Sequence, residues 1–165
     1  MIFKEKIVAL FPFKFLLDVS QAKTTYVLKS VVITAIPALL LSILLSNLFP
    51  ESKKPEYSYD FLNLFFGIVL IAPIIETLLL AIGISILSKV FRSKEYIVLA
   101  SSLLWALLHA LRSPLHGVIV LWPFFVFSLA FLQWKKISTG TAILVGFAMH
   151  FGHNLFNVLL TISLF

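Results

Sequence analysis

Charged residues divide the chain into long apolar runs. Residues 30–50, between Lys29 and Glu51, carry no charge, and the 28 residues between Asp60 and Lys89 carry one, Glu76. A further 16 residues separate Glu95 from Arg112, 22 separate Arg112 from Lys135, and 29 follow Lys136. Within these runs the apolar positions are continuous rather than alternating, so helices are indicated and barrel strands are not. A helix crosses a bilayer with about 20 apolar residues. The pattern therefore predicts five transmembrane helices, near 27–49, 61–88, 96–112, 115–134 and 139–164. The third is short and uses Glu95 and Arg112 as snorkelling ends.

Residues 1–25 break this pattern. Lys4, Lys6, Lys14 and Lys23 interrupt Phe3, Phe11, Phe13 and Phe15, and Pro12 stops any long helix. Lys14 spoils the apolar stretch of a signal peptide, and the residues around Ala22 form no convincing cleavage site. The segment reads as an interfacial arm on the cytoplasmic leaflet, with a frayed tail as the plainer alternative. Residues 26–60 then hold the first span and an external loop, and residues 61–165 hold the remaining helices of one domain.

Composition narrows the class further. Of the 165 residues, 61% are hydrophobic and 12% charged, and the mean hydropathy is +1.07. A soluble fold of this size could not bury so much apolar surface, which excludes a soluble enzyme or regulator. The chain is expected to be an all-α integral membrane protein, with the lipid bilayer as a partner. The absence of cysteine removes disulfides, thiolate metal sites and a cysteine nucleophile. The net charge of +6 lies in short clusters between apolar runs, which suits an anionic membrane face and not a nucleic acid. The arm (Lys4, Lys6, Lys14, Lys23, Lys29), the loop at 89–95 (Lys89, Arg92, Lys94) and the turn Lys135–Lys136 give ten basic residues on one side. Lys53, Lys54 and Arg112 give three on the other, so the N-terminus is expected inside and the C-terminus outside. Oligomeric state is not legible.

The polar residues inside the spans carry the candidate chemistry. Glu76 lies midway along its run, where a carboxylate is costly and by default marks a functional site; the bland alternative is a neutral carboxyl bonded to a neighbouring helix. Pro73 cannot donate to the carbonyl of Val69, so a kink is expected beside Glu76. Pro37 and Pro123 should act similarly with no chemistry nearby. His109 shares a helix face with Ser102 and Trp105, whereas His116, after Pro114, reads as an interfacial residue. On the last span Gly146, His150, His153, Asn154, Asn157 and Thr161 fall within an arc of roughly 100°. Such a stripe must face other helices or a wet cavity. Helix-to-helix hydrogen bonding explains one such residue easily and four poorly.

Peptide hydrolysis needs a base for water and donors for an oxyanion. Glu76 and His109 can supply the base, and His150 with Asn154 the donors. Glu76, His109 and His150 also form a legitimate zinc set, although His150 and His153 are not at the i, i+4 spacing of helical zinc-protease motifs. Proton-coupled transport through Glu and His is a third option, made less attractive by the lack of an inverted repeat.

Ala72-Pro73-Ile74-Ile75-Glu76, then Trp105-x-x-x-His109, then His150-x-x-x-Asn154-Leu155, on separate spans, resemble the CAAX-protease and bacteriocin-processing (CPBP, or Abi) family of intramembrane endopeptidases. The resemblance covers about residues 61–165, and its motifs are specific only in combination. Family motifs read Glu-Glu-x-x-x-Arg, Phe-x-x-x-His and His-x-x-x-Asn; here Thr77 and Ala81 replace the second Glu and the Arg, and Trp105 replaces the Phe. Losing both partners of a buried ion pair can be neutral where losing one is not. The resemblance implies that Glu76 and His109 activate water, that His150 and Asn154 hold the oxyanion, and that no cofactor is needed. It implies a peptide or membrane-protein substrate, prenylated CAAX proteins in one branch, and a bacterial plasma membrane. Non-proteolytic bacteriocin self-immunity or a membrane scaffold is the main rival, and a zinc-dependent intramembrane protease the second. His153 and Asn157 repeat the His-x-x-x-Asn spacing one turn further on and form a secondary candidate pair; Phe151, Gly152 and Leu155 favour the first pair.

Overall fold

The computed structural model describes residues 13–52 and 61–164. Five helices follow a short 3-10 turn at Phe13–Leu17. Helix α1 is Lys23–Leu48. Helix α2 runs without a break through Phe61–Asn63, a π-helical stretch Leu64–Ile71 and Ala72–Val90. Helices α3, α4 and α5 are Lys94–Ala110, Pro114–Trp134 and Thr139–Leu164. No strand occurs among the described residues. Side chains of Phe61 and of 161–164, Thr161 included, lie outside the described set, as do Lys4, Lys6, Lys53 and Lys54.

Four stretches are long and apolar enough to cross a membrane: Lys23–Leu48, Leu64–Val90, Pro114–Trp134 and Thr139–Leu160. With Leu, Ile and Val side chains exposed along them, they make this a membrane protein. Helix α3, at 17 residues, spans about 25 Å and falls short of the roughly 30 Å hydrocarbon thickness. It is the span that the interval between Glu95 and Arg112 already predicts to be short. It packs mainly along α4. Trp105 lies flat on Phe124 at 4.6 Å between ring centroids, and Ser128 Oγ donates to Ser101 Oγ at 2.9 Å. The described residues thus hold a five-helix bundle in which four stretches are long and apolar enough to cross a membrane.

Helix ends follow local chemistry. Pro114 opens α4, where its missing N–H costs nothing. Ser138 Oγ accepts the N–H of Thr141 at 3.0 Å and caps α5. Glycine sets two close approaches. A Cβ on Gly117 would lie 2.5 Å from Ala106 O and 2.6 Å from Ala110 Cβ, so the α3–α4 hairpin closes only around a bare Cα. A Cβ on Gly152 would lie 2.6 Å from Val31 Cγ2, which seats α5 on α1. Helix α4 is the central element, packing on α1, α3, α5 and the 3-10 turn.

Residues 13–22 of the arm dock on the bundle. Leu16 is buried, Phe13 meets Trp122 edge-on at 5.5 Å, and Phe15 meets Tyr26 at 5.7 Å. Lys29 Nζ lies 5.6 Å over the Phe15 ring. Phe13 and Phe15 are half-buried in these contacts, while Phe3 and Phe11 lie outside the described residues.

Of the three prolines inside helices, Pro37, Pro73 and Pro123, the first two each leave a carbonyl that a side chain of another helix serves. Pro37 cannot donate to Ile33 O in α1; Trp122 Nε1 of α4 donates to it at 2.7 Å. In α2 the π register carries the N–H of Ala72 to Gly67 O. The next carbonyl in that register is Ile68's, and Pro73 has no N–H to give it. Asn154 Nδ2 of α5 donates to Ile68 O at 2.8 Å. The distortion expected beside Glu76 thus includes a π-helical stretch, and in that register the carbonyl that Pro73 leaves is Ile68's.

Candidate active site

Glu76 is set in the α-helical part of α2, one turn past the π-helical stretch. Ile74, Ile75, Leu78 and Leu79 around it are exposed, so the lipid-facing side of α2 is apolar and Glu76 turns into the bundle. Its Oε2 lies 3.6 Å from His150 Nε2 on α5 and 3.9 Å from His109 Nε2 on α3. The three side chains are 22%, 7% and 19% exposed, in the order Glu76, His150, His109. Two histidines from two other helices thus converge on one oxygen of the Glu76 carboxyl.

His109 is oriented from its own helix. Its Nδ1 lies 2.8 Å from Trp105 O, and a carbonyl only accepts, so Nδ1 carries the proton. In the neutral ring the lone pair of Nε2 then faces Glu76. Aromatic rings enclose the group: Phe124 is 5.3 Å from His109 and 5.6 Å from His150, and Phe127 is 4.9 Å from His150.

The other candidates have different settings. Asn154 is bonded to Ile68 O, one turn of α5 from His150. His153 points to α1, where Nδ1 lies 3.1 Å from Thr34 Oγ1. The Thr34 hydroxyl lies within hydrogen-bond reach of Ser30 O and Val31 O at 2.9 and 3.1 Å; donating there, it accepts from His153. Asn157 Nδ2 donates to His153 O at 3.0 Å within α5. The structure therefore brings His150 and not His153 to Glu76. Thr77 and Ala81 are buried, and the methyl of Thr77 lies 3.4 Å from a Cβ built on Gly146. The two departures from the motif sit in helix-packing positions.

Three site residues escaped the sequence reading. His116, expected at the interface, is half-buried with its ring 5.2 Å from that of His109. The symmetric spacing of His109 and His116 about a short helix–helix turn was the available signal. Phe124 and Phe127 are apolar residues in an apolar helix and gave none. Among the described residues no three His, Asp or Glu side chains are arranged to hold a metal ion. Compared with known proteins, the chain matches no family model, no curated protein and no solved structure.

Proposed function

We propose that this chain is a glutamate-dependent intramembrane endopeptidase of the kind its three motifs resemble. The observation that carries the reading is the meeting of Glu76 with two imidazoles from two other helices, at 3.6 and 3.9 Å. Both separations exceed a direct hydrogen bond, and across the longer one a single water can touch His109 Nε2 and Glu76 Oε2. Glu76 takes a proton from that water as its oxygen attacks the scissile carbonyl carbon. His150 Nε2–H faces the developing oxyanion. Collapse breaks the C–N bond, and Glu76 returns the proton to the leaving nitrogen.

The substrate class is a peptide or membrane protein; prenylated CAAX proteins enter through the resemblance alone. The ten-to-three distribution of Lys and Arg supports a cytoplasmic N-terminus; a bacterial plasma membrane enters through the resemblance alone. The test is turnover of a membrane-protein or peptide library by purified protein, with Glu76→Gln as the blank. Activity in the parent and none in Glu76→Gln supports the reading. A cellular phenotype that survives Glu76→Gln moves the protein to self-immunity or scaffolding. In a zinc variant of the mechanism Glu76, His109 and His150 would be ligands; chelation abolishes activity at a zinc site and spares a glutamate site.

A further inference from the structure

We infer that Asn154 is a positioning residue: its side-chain amide stands in for the N–H that Pro73 lacks, and so holds the π-helical stretch of α2 that aims Glu76 at His109 and His150. The inference deepens the proposed peptidase reading and rests on it for the catalytic consequence alone.

The geometry has three parts. Ala72 N–H bonds to Gly67 O, so the i to i−5 register persists to the residue before Pro73. Ile68 O is the acceptor that residue 73 would serve, and it receives Asn154 Nδ2 at 2.8 Å instead. A π turn adds about one residue to the turn, and so rotates everything after it by close to 100° relative to an α-helix. Glu76 lies three residues beyond Pro73, on the rotated side. Without a donor for Ile68 O, the unsatisfied carbonyl in an apolar setting favours a different local winding. The direction of the Glu76 carboxyl changes with it.

The same device occurs away from the site. Trp122 Nε1 serves Ile33 O, the carbonyl that Pro37 leaves free, at 2.7 Å. This second pair touches neither Glu76 nor its histidines and supplies an internal control.

The decisive experiment is a double-mutant cycle between Asn154→Ala and Pro73→Ala in the full chain, read by thermal midpoint and by steady-state kinetics. Pro73→Ala restores an N–H within α2 that can reach Ile68 O. Asn154→Ala alone should lower the midpoint by about 2–6 °C and kcat by on the order of a hundredfold, with little change in KM. Adding Pro73→Ala should recover most of both losses. Trp122→Phe with Pro37→Ala should show the same coupling in the midpoint and leave turnover unchanged. Loss of turnover in Asn154→Ala with an unchanged midpoint, or with no rescue by Pro73→Ala, overturns the proposal and makes Asn154 an oxyanion donor. If the parent chain hydrolyses nothing, the peptidase reading fails. The midpoint cycle still decides the bond: non-additive losses support it and additive losses overturn it.

Discussion

Glu76 Oε2 lies 3.9 Å from His109 Nε2, so the carboxylate and His109, which share the proposed water, should respond to mutation as one unit. Glu76→Gln keeps the shape and removes the base; turnover should vanish while folded protein is retained. His109→Ala should do the same, and the double variant should be little worse than either, as for groups acting in one step. Steady-state rates with a stability measurement on each variant check this. His150→Ala should cost on the order of a hundredfold or more in rate, the usual loss for an oxyanion donor. His153→Ala should cost far less rate, because its ring is engaged with Thr34; its effect should appear in the thermal midpoint. The reverse ranking would shift the site one turn along α5.

Among the elements, the α3–α4 hairpin shows how packing at a glycine governs the site. Gly117 lies against Ala106 and Ala110, within one turn of His109. Gly117→Ala forces the helices apart against a backbone carbonyl and should destabilise by about 1–3 kcal/mol. Gly83 on α2 is a contrasting position, since a Cβ there meets nothing within 4 Å. Gly83→Ala should be neutral or stabilise by up to about 1 kcal/mol through helix propensity. Thermal unfolding in one detergent separates the two outcomes. The run of apolar residues made α3 recognisable as a helix, but nothing in it announced Gly117 as the point of closest approach. That depends on which face of α4 is presented, and α4 is apolar on every side.

On the scale of the whole molecule, α3 is too short to span a bilayer by itself, and it is the distribution of basic residues that predicts an odd number of passes, with α3 crossing beside α4. The two ends of the chain should therefore lie on opposite sides. Reporter fusions after residues 55 and 165 should be external and one after residue 93 internal, following the basic residues at Lys89, Arg92, Lys94, Lys135 and Lys136. A C-terminal reporter on the internal side would reduce the passes to four and make α3 a half-buried insert.

Helix number, order and approximate limits were legible in the sequence, because in a bilayer the interval between charges is itself a structural constraint. So was the short list of Glu76, His109 and His150, since a polar side chain inside an apolar run is expensive and stands out. The sequence by itself also located each helix proline. It could not say who would serve the freed carbonyls: Trp122 and Asn154 are 89 and 86 residues away from Ile33 and Ile68. Nor could it anticipate the π register that moved the vacancy from Val69 to Ile68, or the engagement of His153 with Thr34 of α1. Those are matters of rotational phase and of which helix lies opposite, and lipid, being as apolar as the helix surfaces, does not encode them along the chain. They are decided by small residues, aromatic rings and single hydrogen bonds between helices.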